Sequence, residues 1–261
     1  MTTRCYMTLW PIAGDLDARL AKVAAAGFDG FEDWVQSHAT LRPLMEKHNL
    51  RYRGMVAGDD ADGFRKGLDE AFDCQCDGVT VHAGRANMEF GQARDHLGAL
   101  AEIAKGYPFP VDFETHRGRC LFEPMMTARL LDDLPDLWLC LDISHWTVVT
   151  ESLLGGFGDQ VAKALARTRH VHTRVGFEEG PQVPDPRAER WQRYVGVFEG
   201  WWDEVRRGCE ARGQEVFSYD PEFGPPHYQW TDPADGRALA DAFEVAVWIR
   251  DRLATRWSPA R

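Results

Sequence analysis

The sequence has no CxxC pair. Its six cysteines, Cys5, Cys74, Cys76, Cys120, Cys140 and Cys209, are dispersed, and the one close pair, Cys74-Gln-Cys76, is too tight for a usual zinc clip. That spacing removes the zinc-ribbon classes, and six reduced, mostly buried thiols are expected. No apolar run approaches the ~20 residues that span a bilayer, and no N-terminal segment has the apolar core of a signal peptide. A soluble, cytoplasmic protein is the expectation. Positive charge is scarce: 30 Lys and Arg face 41 Asp and Glu, for a net charge of −11. The basic residues are scattered rather than striped, which argues against nucleic acid or an anionic membrane as a main partner. Linkers, low-complexity tracts and sequence repeats are also missing.

What the chain does have is a regular alternation. Leu137 to Trp146 (LWLCLDISHW) opens on an almost wholly apolar run that stops at Asp142. Such a run suits a strand buried on both faces, as in a parallel sheet covered by helices. Further strands are predicted over Arg4–Trp10, Phe28–Trp34, Leu50–Ala57, Gly78–Gly84, Pro110–His116, His170–Val175 and Gln214–Tyr219. Between them, helical spacing or composition predicts helices over 16–26, 37–48 with Ser37 as cap, 60–76, 87–105, 124–134, 151–167, 189–212 and 233–253. A long polar, Pro-rich loop, 176–188, follows the seventh strand, and a loop of that length in a compact domain is usually functional or mobile.

Eight strand–helix pairs at a spacing of about 30 residues imply a (β/α)8 TIM barrel, a single domain over 1–261. The runner-up, an open doubly wound sheet, would want a glycine-rich phosphate loop after the first strand. Trp10-Pro-Ile-Ala-Gly14 is not one, so a dinucleotide cofactor has little support.

Catalytic groups of such a barrel sit at the C-terminal ends of the strands. Those ends carry Glu32, His82, Glu114 with His116, Asp142 with His145, then His170, His172 and Arg174, and finally Glu222. Glu114 to Asp142 is 28 positions, Asp142 to His172 is 30, and His172 to Glu222 is 50. The first two steps are each one βα unit, and the third is one unit plus the long loop. Four ionisable groups therefore land on four successive strand tips. Three carboxylates and an imidazole gathered in a low-dielectric mouth repel one another unless a cation joins them. An O3N donor set points to one divalent metal ion, Mn²⁺ first, with Mg²⁺, Co²⁺, Fe²⁺ or Zn²⁺ as alternatives. His170 and His172 lie on one face of their strand. Either can be the nitrogen donor, and His172 is favoured because it is nearer the tip. Arg174 is expected to hold a hydroxyl, carboxylate or phosphate of substrate, or else to pair with Glu178 or Glu179.

Phe113-Glu-Thr-His116, Leu141-Asp-Ile-Ser-His145, His170-Val-His-Thr-Arg174 and Pro221-Glu-Phe-Gly-Pro225 resemble the strand-tip motifs of the xylose isomerase-like TIM barrel superfamily. That group includes sugar-phosphate isomerases/epimerases, ketose 3-epimerases, hydroxypyruvate isomerases and inosose dehydratases. The resemblance implies Glu114, Asp142, His172 and Glu222 as ligands of one divalent metal. It makes Glu114 and Glu222 the acid/base pair on opposite faces of an enediolate, and His145 a substrate contact. His116, Glu32, His82 and Trp10 are expected around the substrate, and Trp34, Phe113, Trp146 and Phe223 near the mouth. The sequence departs from the ketose 3-epimerase pattern in its shorter length and in the loop Val175-Gly-Phe-Glu-Glu-Gly-Pro-Gln182.

The function expected is a metal-dependent isomerase or epimerase of a small sugar or related polyhydroxy carbonyl compound. The alternatives are a lyase or dehydratase at the same site, acting on a keto-inositol or a 3-keto-glycoside, and a barrel that binds a sugar without chemistry. A nuclease is disfavoured by the negative charge and the missing basic groove. A homo-oligomer is compatible with the sequence.

Overall fold

The computed structural model describes residues 1–258. The elements run β1 (Thr2–Thr8), α1 (Leu16–Ala26), β2 (Gly30–Trp34), α2 (His38–His48), β3 (Arg51–Gly58), α3 (Ala61–Asp73), β4 (Val79–Ala83) and α4 (Phe90–Ala104). They continue with β5 (Val111–Glu114), α5 (Pro124–Asp133), β6 (Leu139–Leu141), α6 (Ser144–Val149), α7 (Gly158–Ala166) and β7 (Thr168–His172). A 3-10 turn (Glu189–Trp191) enters α8 (Gln192–Ala211), and β8 (Val216–Asp220) and α9 (Ala242–Trp257) finish the fold. The eight strands close into a barrel in sequence order, all parallel, with Thr2 of β1 opposite Val216 of β8 at the seam. The (β/α)8 architecture expected from the alternation is the one observed.

Local chemistry sets the boundaries. Asp15 and Asp60 cap α1 and α3 by accepting from the backbone N–H of Ala18 and Gly63, each at 2.8 Å. Gly27 ends α1 with φ +82°, a left-handed turn that suits glycine. Ser37 stands where α2 begins, but its side chain makes no capping bond.

Two helices differ from expectation. The helix predicted over 151–167 forms only as α7, which starts at Gly158, and a short helix that was not expected, α6, precedes it and ends at Val149. Glu151 and Leu154 between them have φ of +48° and +60°, which an α-helix does not permit. The helix predicted over 233–253 starts at Ala242, where Asp241 caps it by accepting from Glu244 N–H at 2.9 Å. The residues before it pair Thr231 with Ala238 instead.

Apolar packing lies between strands and helices. Val195, Phe198, Trp202 and Val205 form the buried stripe of α8. Each such side chain contributes ~1.5–3 kcal/mol on burial. All six cysteines are free and buried. The space inside the barrel is polar instead. Arg53 Nη2 donates to Asp112 Oδ2 at 2.6 Å and Arg53 Nε to Thr80 Oγ1 at 3.0 Å, and Arg169 Nε reaches Asp112 Oδ1 at 2.7 Å. Among the described residues no helix is long and apolar enough to cross a membrane.

Two glycines test the packing in opposite directions. A Cβ on Gly67 of α3 would lie 2.5 Å from Val56 Cγ1, which is itself core. Gly67→Ala is expected to cost ~1–3 kcal/mol by overpacking. That outweighs the ~1 kcal/mol that helix propensity offers. Gly200 of α8 is exposed with nothing within 4 Å of a built Cβ. Gly200→Ala is expected to gain up to ~1 kcal/mol. Urea midpoints that move the same way for both variants would refute this account of α3 packing.

Candidate metal centre

Strand depth decides what each expected residue can reach. Glu114 and His172 are the last residues of β5 and β7, Asp142 is one past β6, and Glu222 is two past β8. One donor atom from each of these four lies within 4.8 Å of the others. His172 Nδ1 is 3.1 Å from Glu222 Oε2 and 3.6 Å from Glu114 Oε1. Neither approach is a hydrogen bond: His172 Nδ1, Glu114 Oε2 and Glu222 Oε2 are all buried without a hydrogen-bond partner. Glu114 Oε2 also touches His82 Nε2, again without the alignment of a hydrogen bond. Unpaired buried polar atoms of this kind are costly unless something outside the chain satisfies them. Three carboxylates and one imidazole fit a divalent cation.

Asp142 is the best satisfied of the four. Its Oδ1 accepts from Ser144 N–H at 3.0 Å and from the Ser144 hydroxyl, at the first residue of α6. Its Oδ2 accepts from Arg174 Nη2 and, at 3.1 Å, from Arg174 Nε. Thr115 Oγ1 binds both its backbone N–H and its carbonyl, at 2.9 and 3.0 Å.

Charge is tightly coupled here. Burial alone would raise the Glu114 carboxyl, but His82 and His172 outweigh it and hold the group well below its usual range. Glu222 is lowered too, against its burial, by Arg174 and His172. Asp142 goes the other way: burial pushes it up to about 6 in spite of Arg174. Burial opposes a charged His172 ring, yet Cys140, Glu32 and Glu222 together lift it well above the ordinary imidazole value. Without a cation, a proton sits where the carboxylates need positive charge.

The surrounding residues divide by depth. His116, half-buried, packs against the fully buried His145 with ring centroids 4.1 Å apart. Burial lowers His116 to about 4 and drives His145 well down, so both rings are neutral near pH 7. His116 Nδ1 accepts from Gly118 N–H at 3.0 Å, which leaves its Nε2–H directed at Tyr228, 3.4 Å away. His82 packs edge-on to Trp34. Trp10 is 40% exposed and Trp34 44%, so both are free to meet a ligand at the rim.

Three expectations meet a different arrangement. Glu32 is not at the mouth. β2 runs two residues past it, so it points into the barrel beneath His172 and is 1% exposed. Arg174, expected to take a substrate group or an acidic loop residue, is 1% exposed and engaged with Asp142, Glu222 and His145. Phe113, Trp146 and Phe223 are core rather than mouth. Phe113 faces outward to Phe64 because it alternates with Glu114, and Trp146 Nε1 donates to Leu121 O at 2.9 Å.

The sequence reading missed Tyr228, whose ring covers Arg174 with the guanidinium 4.6 Å from its centroid and packs on Trp10. It also missed Gln182, whose amide grips both the N–H and the carbonyl of Gly224, at 2.6 and 3.1 Å, and so ties the long loop to the Glu222 segment. Asp220 was also passed over, a buried carboxyl with neither oxygen hydrogen-bonded, which burial and Glu32 raise well above its usual value. A second group of donors among the described residues, Cys140, His170 and His172, lies deeper and shares His172.

The fold has many solved counterparts. The IOLI protein, solved with a bound zinc atom, is 13% identical over all of both chains, with a TM-score of 0.64. A sugar phosphate isomerase/epimerase from Parabacteroides distasonis is 11% identical over 99% of this chain and 94% of that one, with a TM-score of 0.61. The probable 3-DHS dehydratase AsbF from Bacillus anthracis is 16% identical over 96% and 98%, with a TM-score of 0.60. At such identities the likeness is one of fold. No curated protein matches the sequence. The sequence profile of the xylose isomerase-like TIM barrel matches residues 20–176, more than half of the chain. The protein belongs to the xylose isomerase-like TIM barrel family.

Proposed function

We propose that this protein is a divalent-cation-dependent isomerase or epimerase of a small sugar or related polyhydroxy carbonyl compound. One observation carries the reading. Glu114, Asp142, His172 and Glu222 bring donor atoms within 4.8 Å of one another, three of them buried and unpartnered, at the C-terminal end of the barrel. The same end hosts catalysis in barrels of this architecture. A sugar isomerase/epimerase among the structural neighbours agrees with it.

A cation held by these four groups would polarise a carbonyl and a neighbouring hydroxyl and so acidify the C–H between them. The chain supplies the rest. Glu114 and Glu222 come from β5 and β8 and flank His172 Nδ1 at 3.6 and 3.1 Å. One carboxylate takes the proton from the α carbon and later loses it to water, and the other, protonated by water, returns one to the opposite face or to the next carbon. Both are held as carboxylates at neutral pH, the form a base requires. The neutral rings of His116 and His145 each keep one N–H for a hydroxyl oxygen, because His116 Nδ1 accepts from Gly118 N–H and His145 Nε2 accepts from Arg174 Nη2. Trp10 and Trp34 present apolar faces to a sugar ring. The donor set favours Mn²⁺, with Mg²⁺, Co²⁺, Fe²⁺ or Zn²⁺ as alternatives.

A lyase at the same site is the second reading. It shares the first proton removal; the carboxyl protonated in that step supplies the proton with which a hydroxyl departs as water, and the His116 Nε2–H beside Tyr228 offers that hydroxyl a hydrogen bond. The dehydratase among the structural neighbours is what favours it. The Mn²⁺-loaded protein is to be incubated in D₂O with a panel of keto-sugars and keto-inositols. Deuterium at the α carbon of recovered substrate or isomer supports the isomerase, and a conjugated enone absorbing in the ultraviolet supports the lyase. If no compound takes up deuterium and none forms an enone, the enzymatic reading is wrong.

A further inference from the structure

We propose that Glu32 is a positioning residue: it fixes the His172 ring with its proton on Nε2 and leaves Nδ1 free to bind the cation. The inference rests on the reading that Glu114, Asp142, His172 and Glu222 hold a metal ion.

Glu32 sits within β2 and its side chain enters the barrel. β2 and β7 are separated in the barrel by β1 and β8, so its contacts with β7 cross the interior rather than follow the sheet. A carboxylate taken into such a place is costly unless hydrogen-bond donors meet it. The donors here are rings. Glu32 Oε2 is 3.1 Å from His170 Nε2 and 3.2 Å from His172 Nε2. Arg53 Nε stands 3.8 Å from the other oxygen, which has no hydrogen-bond partner. On its far side, His170 Nδ1 is 2.7 Å from Ser218 Oγ. Ser218, His170, Glu32 and His172 thus form one continuous buried chain.

A carboxylate only accepts hydrogen bonds, so both Nε2 atoms facing it must carry protons. A neutral ring protonated on Nε2 has its lone pair on Nδ1, the atom turned toward Glu222 and Glu114. The Ser218 hydroxyl donates to His170 Nδ1 and holds that ring in the same tautomer. His170 in turn anchors Glu32 from below, so the carboxylate cannot turn away from His172. Negative charge behind the ring also makes it a stronger ligand, as carboxylates do behind metal-bound histidines generally. His170, the rival of His172 for the metal, therefore serves behind the site.

The geometry contains its own competitor. Cys140, His170 and His172 form a deeper group of donors, and a cation there would take the side of His172 that faces Glu32. Co²⁺ separates the two, because a thiolate ligand adds an intense near-ultraviolet charge-transfer band. Co²⁺ is to be titrated into the metal-stripped wild type and into Glu32→Gln, a variant of equal size without the charge. The expected result is d–d absorption without a thiolate band in both, with binding 10–100-fold weaker in the variant. Equal affinity, within twofold, overturns the role of Glu32, as does a thiolate band that Cys140→Ala abolishes. Wild-type protein that takes up no Co²⁺ overturns the cation reading itself, and this inference with it. A second measurement needs no variant. In ¹⁵N spectra of the wild type loaded with diamagnetic Zn²⁺, His172 is expected to carry its proton on Nε2. A proton on Nδ1 overturns the proposal.

Discussion

Glu114→Gln and Glu222→Gln are each expected to lower α-proton exchange with solvent by about 10³-fold or more. A positioned base contributes ~10²–10⁴ on its own, and each residue is also expected to hold the cation, so both effects fall on one substitution. Glutamine keeps the size of the side chain and one of its two acceptor oxygens, so the barrel should survive. Bound metal, measured by elemental analysis, should fall in parallel. Glu199 is the control. It is as buried as Glu114, 2% exposed, but it lies between α8 and α9 and pairs with Arg252 at 2.6 Å and Arg256 at 3.4 Å. Glu199→Gln should lose stability and keep exchange. Either site variant retaining exchange within tenfold of wild type would remove that carboxylate from the reaction.

The strands were legible in the sequence because short buried stretches alternate with helical spacing at a regular interval, although the polar barrel interior interrupts most of them with Arg, Asp or His. The LWLCLD stretch is uninterrupted and has an abrupt polar end: β6 ends at Leu141 and Asp142 projects from its tip. The sites at strand ends follow from the same punctuation, and they place Glu114, Asp142, His172 and Glu222 together. Depth along a strand is harder to read. Glu32 and Glu114 look alike in sequence, one in Phe-Glu-Asp-Trp and the other in Phe-Glu-Thr-His. β2 runs on to Trp34 whereas β5 stops at Glu114, and those two residues move Glu32 from the mouth into the interior. Strand alternation would have placed Phe113 outside, since Glu114 must point in. Tyr228 carried no such signal. It lies in the turns and isolated bridges between β8 and α9, whose course is set by tertiary contacts such as the Gln182 clamp on Gly224.

The misplacement of Arg174 has a physical cause that bears on stability. A guanidinium at a strand tip looks like a hand extended to substrate. It is instead the counter-ion that lets Asp142 and Glu222 be buried together. Its raised affinity for its proton reflects that, with Asp142 and Glu222 overcoming the cost of burial. Arg174→Met keeps the length of the stem and removes the charge. Removing one partner of a buried ion pair costs ~3–5 kcal/mol, because the other charge stays behind unpaired. For a chain of this size that corresponds to a fall in Tm of about 10 °C in the metal-free protein. A divalent cation among the same carboxylates would supply much of the lost positive charge, and a ligand that binds only the folded state stabilises it. The gap in Tm between metal-free and metal-loaded protein should therefore be wider for Arg174→Met than for wild type, as calorimetry with and without Mn²⁺ would show. Equal gaps would mean that the guanidinium and the cation do not share Asp142 and Glu222. An unchanged metal-free Tm would mean that Arg174 is not what balances their charge.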